Sequence, residues 1–249
     1  MLKSERYNTI LSLLNERGYL SVEELSRMVY VSPSTLRRDL AEMSRSGYLK
    51  RSWGGVMALT PSEAEEAVVR QTNASLTPEQ TAIAQAAAKY LRDGDIAYLD
   101  ASGLVLGMIP LIKNMSRLTL VTNSLHLPLT LPEGRHRLFS LSGELSSRSL
   151  SLTGPRTAES AARFNYRIAF FSCSGISNGF ATCNTAGTAV LMHTVLARTE
   201  ESVLLCTRDK AQRVTAVNAV PLSRFDHIVT NAPELFQECL DRVTDAGLY

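Results

Sequence analysis

The spacing of apolar residues in the first 60 positions predicts three short helices. The apolar stripe of the first consists of Tyr7, Ile10, Leu11 and Leu14. The second is expected to begin at Ser21, because Ser21 and Glu24 have the spacing of a capping box. The third is expected to begin at Ser32-Pro33, since serine is a favoured N-cap residue and proline is tolerated in a first helical turn. Its buried stripe consists of Leu36, Leu40 and Met43.

The outward face of the third predicted helix is small, hydroxylic and cationic. It consists of Ser34, Arg38, Ala41 and Arg45, flanked by Thr35 and Arg37, with Ser32 at the helix start. Small residues permit close approach to the DNA major groove, and arginine can pair bidentately with guanine. This face therefore indicates DNA recognition, although a charged helix face taken alone is more often only a solvated surface.

A basic hairpin is predicted to follow the third helix. Gly47 is expected to end the helix, and residues 48–51 begin a strand that turns at 52–55 and returns through 56–59. Arg45, Lys50 and Arg51 are the candidate phosphate contacts. Helix, tight turn, helix and hairpin together predict a winged helix-turn-helix DNA-binding domain over residues 1–59.

The composition of the chain changes after residue 59. Residues 60–78 are rich in Ala, Glu, Ser, Thr and Pro, which indicates a linker with a helical piece at 63–70. Thr77-Pro78 begins a new helix with a hydroxyl cap and an N1 proline, and Ile83, Ala87 and Leu91 line one side of it. A second domain is therefore predicted over residues 79–249.

Short apolar runs alternate with helical patterns through the second domain. Strands are predicted at residues 96–102, 118–122, 136–141, 167–172, 202–207 and 227–230, the last of these ending the sheet. Helices are predicted at 103–115 with a break at Pro110, and at 125–129, 154–165 and 186–201. Alternation of this kind predicts an α/β fold with a largely parallel sheet covered on both faces.

The charge of the chain is concentrated near its start. The formal net charge is only +2, which argues against a generic polyanion binder. Residues 1–60, however, hold nine basic and six acidic residues, and five of those cations lie between Arg37 and Arg51. A focused basic patch is what phosphate contact requires.

Other broad classes are disfavoured by composition. The four cysteines, Cys173, Cys183, Cys206 and Cys239, have no CxxC spacing, so we expect reduced thiols, with no disulfides, no bound metal and no cofactor. No secretory signal and no apolar run of membrane-spanning length is present. We therefore expect a cytoplasmic protein without a membrane partner.

Polar residues follow the predicted strands of the second domain, where ligands bind in open α/β sheets. The candidate ligand-binding residues are Asp100, Ser102, Gly103, Thr122, Asn123, Ser124, Gly143, Glu144 and Lys210. Amides at Gly103, the hydroxyls of Ser102 and Ser124, and Lys210 could hold a phosphate. Asp100 and Asn123 could bind sugar hydroxyls. The alternative is that strand ends are rich in these residue types simply because the chain turns there.

The segment from Ser32 to Gly55, SPSTLRRDLAEMSRSGYLKRSWGG, resembles the N-terminal signature of the DeoR family of bacterial transcriptional regulators. In that signature a VS-x-x-T-[IL]-RRDL helix precedes an R-x-x-GG wing. Trp53 stands where the family often has histidine. The resemblance implies a sequence-specific regulator, acting as a repressor, that assembles as a homodimer or homotetramer. A single module also buries little surface for operator-level affinity, which favours the same expectation.

The resemblance continues through the second domain. It implies a sensor domain with a Rossmann-like fold, similar to ribose-5-phosphate isomerase and coenzyme-A transferases, that binds a sugar phosphate or related metabolite. The family's T-N-S is intact at residues 122–124, its D-x-G-T-T loop corresponds to 100–105 and its G-G-E loop to 142–144, and its later F-x-x-x-x-G-[IV] segment corresponds to 170–176.

The chain also departs from the family pattern. Leu104 and Val105 replace two phosphate-binding threonines, Leu191 replaces a common lysine, and the segment at 207–212 keeps only Lys210 in register, with Arg208 able to restore one cation. Each lost charged hydrogen bond is worth about 1.5–3 kcal/mol, so two losses weaken phosphate binding about a hundredfold or more. The pocket is therefore expected to prefer a less phosphorylated ligand, or to have lost ligand sensing.

An enzyme of the sugar-phosphate isomerase type is the alternative. It would need a carboxylate base and a cation, for which Asp100, Glu144 and Lys210 are the candidate set. The attached DNA-reading module favours a regulator without catalytic residues. A DNA-bound orphan regulator that has no effector is the third possibility.

Overall fold

The computed structural model describes residues 3–45, 48–58, 76–131, 134–146 and 149–247. The chain divides into two compact units, residues 1–74 and 75–249. Most of the predicted linker, its helical piece, and the predicted boundary residues Gly47 and Leu59 lie outside the described residues. Within the described ranges, no helix is both long enough and apolar enough to cross a bilayer.

The described part of the first unit, residues 3–45 and 48–58, contains three helices and a small antiparallel sheet. Its elements are α1 (Lys3–Arg17), β1 (Tyr19–Ser21), α2 (Val22–Met28), α3 (Pro33–Arg45), β2 (Lys50–Ser52) and β3 (Gly55–Met57), and the sheet has the order β1-β3-β2. The three helices and the hairpin confirm the winged helix-turn-helix prediction. Strand β1 was not predicted, because three residues are too few to show a period-2 pattern.

Local hydrogen bonds explain where α2 and α3 begin. The Ser21 hydroxyl accepts from the backbone N–H of Glu24 at 3.2 Å, and the Ser21 N–H donates to Glu24 Oε2 at 2.9 Å, which completes the predicted capping box. At α3, the Ser32 hydroxyl accepts from the N–H of Thr35 at 3.3 Å. Helix–helix packing then buries Ile10, Leu25, Leu36 and Met43 completely.

A partly buried ion pair joins α1 to α3. Arg6 Nε donates to Asp39 Oδ2 at 2.7 Å, and both side chains are about nine-tenths buried. The hydrogen bond with Asp39 is the main cause that raises the pKa of Arg6, and burial opposes it. This pair fixes α3, and therefore its outward face, relative to α1.

The second unit is built around one parallel sheet. In chain order its elements are α4 (Pro78–Ala88), β4 (Ile96–Leu99), α5 (Gly103–Leu106), α6 (Ile109–Ile112), β5 (Thr119–Thr122), α7 (His126–Thr130), β6 (Arg137–Ser140), β7 (Glu144–Ser146), β8 (Ser151–Thr153), α8 (Pro155–Ala161), β9 (Tyr166–Ser172), β10 (Gly175–Ser177), β11 (Phe180–Cys183), α9 (Ala186–Leu196), β12 (Thr199–Cys206), α10 (Arg208–Ala211), β13 (Val217–Pro221), β14 (His227–Thr230) and β15 (Val243–Asp245). The seven-stranded sheet has the order β15-β14-β12-β9-β4-β5-β6, and every pair in it is parallel.

Both faces of this sheet are covered, as predicted. Successive residues of β9 face opposite sides: Phe170 belongs to one apolar cluster and Phe171 to the other. Helices α4, α5 and α6 contribute to the first cluster, whereas α9 and the small sheet β10-β11-β13 contribute to the second. The near-continuous apolar strands follow from burial on two faces.

Several predicted boundaries are wrong. The helical segment 103–115 breaks at Gly107-Met108, and Pro110 lies inside the first turn of α6, where its missing N–H has no helical partner to lose. Residues 199–201 begin β12 and do not extend α9. The sheet also continues past 227–230, because β15 pairs with β14. Strands β7, β8, β10, β11 and β13 were not predicted.

Candidate functional site

The predicted DNA-contact residues lie on an exposed face of the first unit. Ser32, Ser34, Thr35, Arg37, Arg38, Lys50 and Arg51 are all exposed, and the side chain of Arg45 lies outside the described residues. At the start of α3 the Ser32 hydroxyl lies 3.0 Å from that of Ser34 and 2.9 Å from that of Thr35. These hydroxyls form a compact polar cluster beside the α3 arginines.

The helix and the hairpin contribute to one cleft. Arg37 of α3 and Arg51 of β2 both line a cleft of about 440 Å³, together with Gly54 of the turn and Val22 at the start of α2. The turn is held close to α2, because the N–H of Val22 donates to the carbonyl of Gly54 at 3.0 Å. Cations from the helix and from the hairpin therefore face the same space, which suits contact with a polyanion.

A cavity of about 730 Å³ lies at the carboxyl ends of β4, β5 and β9 in the second unit. Four of the predicted ligand-binding residues line it: Asp100, Ser102, Asn123 and Lys210. Its wall is mainly hydroxyls, amides and thiols, with an apolar part formed by Phe171, Leu191 and Met192. This mixture can hydrogen-bond a polyhydroxylated molecule and cover its carbon skeleton.

Asp100 is the carboxylate of the cavity. Its Oδ1 accepts from the N–H of Ser102 at 2.8 Å, and its Oδ2 accepts from the N–H of Ser172 at 2.7 Å. Burial is the main cause that raises its pKa, while these hydrogen bonds and the charge of Lys210 act in the opposite direction. The two hydrogen bonds thus fix the orientation of the carboxylate, while burial leaves it with few water contacts. A ligand hydroxyl that donates a hydrogen bond to it would replace the missing water.

Lys210 and Asn123 are positioned by neighbouring residues. Lys210 Nζ donates to the hydroxyl of Ser172 at 2.8 Å, which holds the ammonium beside the end of β9. Asn123 Oδ1 accepts from the hydroxyl of Tyr98 at 3.0 Å, and its Nδ2 donates to the carbonyl of Leu152 at 3.2 Å. Both groups are therefore preorganised before any ligand enters.

The other five predicted ligand residues do not line the cavity. Thr122 and Ser124 are fully buried: the Thr122 hydroxyl donates to the carbonyl of Leu99 at 2.7 Å and accepts from the N–H of Ser124 at 3.0 Å. Gly103 is exposed at the start of α5, and Glu144 is exposed on β7. Thr122 is thus the last residue of β5 and its hydroxyl bonds to the backbone, whereas Gly103 and Glu144 face solvent.

Gly143, the fifth of these residues, has a packing role. Its φ is +145°, and a Cβ atom there would lie 1.9 Å from Thr157 Oγ1, so no larger residue fits. Thr157 in turn lines the cavity, and among the described residues its buried hydroxyl has no hydrogen-bond partner. Gly143 therefore allows an unsatisfied hydroxyl to reach the cavity wall.

Two parts of the cavity wall were missed by sequence reasoning. One is the β7–β8 hairpin, which contributes Ser146, Ser149, Ser151 and Thr153. The alternating Ser-Leu-Ser-Leu-Thr pattern at 149–153 was the available signal for a strand there. The other is the start of α9, where Thr185 caps the helix by accepting from the N–H of Thr188 at 3.2 Å. Gly187 and Thr188 also line the cavity, so the positive end of an 11-residue helix adjoins it.

The departures from the family pattern lie in different places. Leu104 and Val105 are buried in the apolar cluster beneath α4, away from the cavity. Leu191 lines the cavity, so an aliphatic side chain is present where the resemblance led us to expect a lysine. Arg208 is exposed and pairs with Glu234 at 2.5 Å, and it does not line the cavity.

Comparison with known proteins agrees with this architecture. Residues 6–62 match the DeoR-like helix-turn-helix domain, and residues 76–232 match the DeoR C-terminal sensor domain. The chain is 30% identical over its whole length to the HTH-type transcriptional regulator YulB of Bacillus subtilis, of which 91% is covered. The chain belongs to the DeoR family of transcriptional regulators.

Other DeoR relatives carry more specific names. The chain is 28% identical to the glycerol-3-phosphate regulon repressor of Escherichia coli, with 94% of this chain and 92% of the relative covered. It is 25% identical to the lactose phosphotransferase system repressor of Staphylococcus epidermidis, with 94% of each covered. Among solved structures, a D-ribose-5-phosphate isomerase matches 53% of each chain with a TM-score of 0.39 at 13% identity. RipA from Yersinia pestis matches 68% of this chain and 50% of its own chain, with a TM-score of 0.43 at 13% identity.

Proposed function

We propose that this DeoR-family protein is a repressor that reads an operator through α3 and the β2–β3 hairpin, and that it is controlled by a small polyhydroxylated metabolite. The observation that carries the proposal is the presence in one chain of an exposed basic helix-turn-helix face and a preorganised, hydroxyl-lined cavity. The first needs a polyanionic partner, and the second has the size and polarity of a small-molecule site.

Separate roles are proposed for the DNA-contact residues. Ser34, Thr35, Arg37 and Arg38 contact base edges in the major groove, and Arg45, Lys50 and Arg51 contact phosphates. The proposal is supported by the exposure of the described members of this set and by the cleft that Arg37 shares with Arg51. Since base contacts specify and phosphate contacts position, the two groups should respond differently to mutation.

The effector is proposed to carry at most one negative charge. Among the described residues of the cavity wall, Asp100 and Lys210 are the charged side chains, and their formal charges cancel. The start of α9 could hold one anion, whereas Leu191 adds no cation. Asp100 and Asn123 would bind ligand hydroxyls. The relatives' names refer to a glycerol-3-phosphate regulon and a lactose phosphotransferase system, which supports a carbohydrate-like carbon skeleton. The charge limit rests on the cavity wall of this chain and not on those names.

Calorimetric titration with matched pairs of sugars, polyols and their phosphates tests this effector. We expect one unphosphorylated or singly charged compound to bind and to change the affinity for operator DNA, and Asp100→Ala to remove that binding. Micromolar binding of a common sugar phosphate dianion would reject the charge argument. Operator affinity that no metabolite alters would instead favour an orphan regulator.

Two or more DNA-binding modules per assembly are proposed, as a homodimer or homotetramer. The reason is energetic, because one helix-turn-helix module buries too little surface for tight operator binding. Sedimentation of the full chain, alone and with a palindromic duplex, would measure the number of copies. A monomer bound with nanomolar affinity would contradict this part of the proposal.

An isomerase-like activity is the second candidate, since Asp100 and Lys210 together could supply a base and a cation. Glu144, the third group of the expected catalytic set, does not line the cavity. Binding without turnover is therefore the proposed role of the site. A turnover assay on ribose 5-phosphate with purified full-length protein distinguishes the two, because sustained turnover lost in Lys210→Met would establish catalysis.

A further inference from the structure

Trp53 occupies the tip of the β2–β3 hairpin and is fully exposed to solvent. Its relative exposure is 100%, the highest among the large hydrophobic side chains of the described residues. Exposed apolar residues are common on protein surfaces, but a complete indole in water leaves a large apolar area without a contact. Such a side chain at the end of a projecting hairpin is typical of a binding contact.

The backbone around Trp53 is held rigidly. Trp53 and Gly54 form the two-residue turn between Ser52 and Gly55, and Gly54 has a φ of +76°, which suits such a turn. The hydroxyl of Tyr19 donates to the Trp53 carbonyl at 3.2 Å. The Gly54 carbonyl accepts from the N–H of Val22 at 3.0 Å, so the two turn residues are bonded to β1 and to the start of α2.

Close packing of the hairpin base adds to this rigidity. A Cβ atom on Gly55 would lie 2.3 Å from the carbonyl of Leu20, so β3 lies directly against β1 with no room for a side chain. Because the backbone that carries the indole is already ordered, binding has to restrict only the side-chain torsions of Trp53, which favours its use as an anchor.

The charge around the hairpin identifies the partner. Lys50 and Arg51 are exposed on β2, and Arg37 joins Arg51 in the cleft beside Gly54. An apolar ring at the tip of a hairpin whose strand carries Lys50 and Arg51 fits a surface that combines negative charge with apolar walls. The minor groove of duplex DNA has both, with phosphates on its edges and deoxyribose rings along its walls.

We infer that Trp53 enters the minor groove next to the major groove occupied by α3, where its indole packs against deoxyribose and senses groove width. This inference rests on the proposed DNA-reading function. The minor groove of B-DNA is about 6 Å wide, which admits a flat ring edge-on but excludes a helix. The walls of a narrow A·T-rich groove would make more van der Waals contacts with the ring. Trp53 therefore adds a preference for A·T pairs that flank the bases contacted by α3.

The fluorescence of Trp53 tests the contact directly, because the chain contains one tryptophan. The full-length protein is titrated with the tightest duplex selected from a random-sequence library, and binding is followed separately by the anisotropy of a dye on the DNA. We expect the emission of Trp53 to shift to shorter wavelength and its quenching by acrylamide to fall at least twofold at saturation. Anisotropy that rises while the emission and quenching stay constant would overturn the inference and leave DNA binding intact.

A relocated tryptophan provides the matched control. In Trp53→Phe combined with Leu240→Trp, the reporter lies on an exposed position of the second unit. Its emission should not change with DNA. An equal change in both proteins would mean that the signal is not local to the hairpin, and would also overturn the inference. If neither the anisotropy of the dye nor the emission of Trp53 changes when DNA is added, the protein does not bind the duplex, which would contradict the proposed function.

Substitution and competition test the groove assignment. We expect Trp53→Ala to weaken binding to duplexes with A·T-rich flanks about tenfold, and binding to G·C-rich flanks less. A minor-groove ligand such as netropsin should restore the solvent-exposed emission of Trp53 before it displaces the protein. Equal losses on both kinds of flank, or no effect of the ligand on emission, would show that the indole binds elsewhere.

Discussion

Arg38 and Lys50 are two exposed cations of the first unit for which we propose different functions. Arg38 lies on α3 beside the hydroxyl cluster, where a guanidinium fork can pair with a guanine edge. Lys50 lies on β2, and we propose that its ammonium acts as a point charge toward a phosphate. The exposure of both residues was predictable from the sequence, because the buried stripe of α3 leaves Arg38 on the outward face and Lys50 belongs to the polar hairpin strand.

Substitution of these two residues should give contrasting results. We expect Arg38→Ala to weaken binding to the selected duplex by about 1–3 kcal/mol with little effect on random DNA. Lys50→Ala should weaken binding to all sequences alike and reduce the slope of log affinity against log salt by about one unit. Mobility shifts on selected and random duplexes at several salt concentrations measure both. Equal losses on the two duplexes for Arg38→Ala would refute its base-reading role.

Asp100 gives a residue-scale prediction about pH. Burial raises its pKa in the folded protein above the ordinary value of 3.8, so the folded state binds its proton more tightly than the unfolded chain does. The contribution of this carboxyl to stability is therefore lost as pH rises from 3.8 through the raised pKa. Relative to Asp100→Asn, the unfolding free energy of the natural chain should fall over that interval in urea titrations. A difference that rises with pH would contradict the assignment of burial as the main cause.

Element boundaries were predictable where a local cap or period determines them. Ser21, Thr77 and the buried stripe of α3 each leave a signal within a few residues, and the corresponding helices are present. The three-residue strands β7 and β10 were missed, because their pairing depends on residues that the chain brings together only after folding. Strand β8 was missed although the alternating pattern at 149–153 signals it. Asp100 and Lys210 were predicted as ligand residues because each follows an apolar strand in the sequence. The β7–β8 hairpin and the start of α9 were not predicted to line the cavity, because only folding brings them next to those strand ends.

The α1–α3 ion pair provides a prediction at the element scale. Asp39→Ala leaves the largely buried Arg6 guanidinium without its partner, which should destabilise α3 by about 3 kcal/mol. Hydrogen exchange of the α3 amides in the full-length protein measures the loss as faster exchange. The double replacement Arg6→Met with Asp39→Leu should restore most of the lost stability of α3, because no unpaired charge remains. Equal destabilisation by the single and double variants would show that the ion pair is not the cause.

At the scale of the whole molecule, two modules with different partners occur in one chain. The first unit presents exposed cations, and the second encloses a cavity whose described charges cancel. The family and the fold were predictable because the RRDL helix and the strand–helix alternation extend over long stretches of sequence. The effector was not, because the groups proposed to bind it, at positions 100, 123, 187 and 210, are brought around one cavity only by the folded sheet.

We propose that the α3–hairpin surface discriminates among base sequences. The most direct test is the ratio of dissociation constants of the full-length protein for its selected duplex and for random duplex, measured at physiological salt. We predict a ratio of about a thousandfold or more, lowered in Arg38→Ala. Equal dissociation constants for both duplexes would contradict the account.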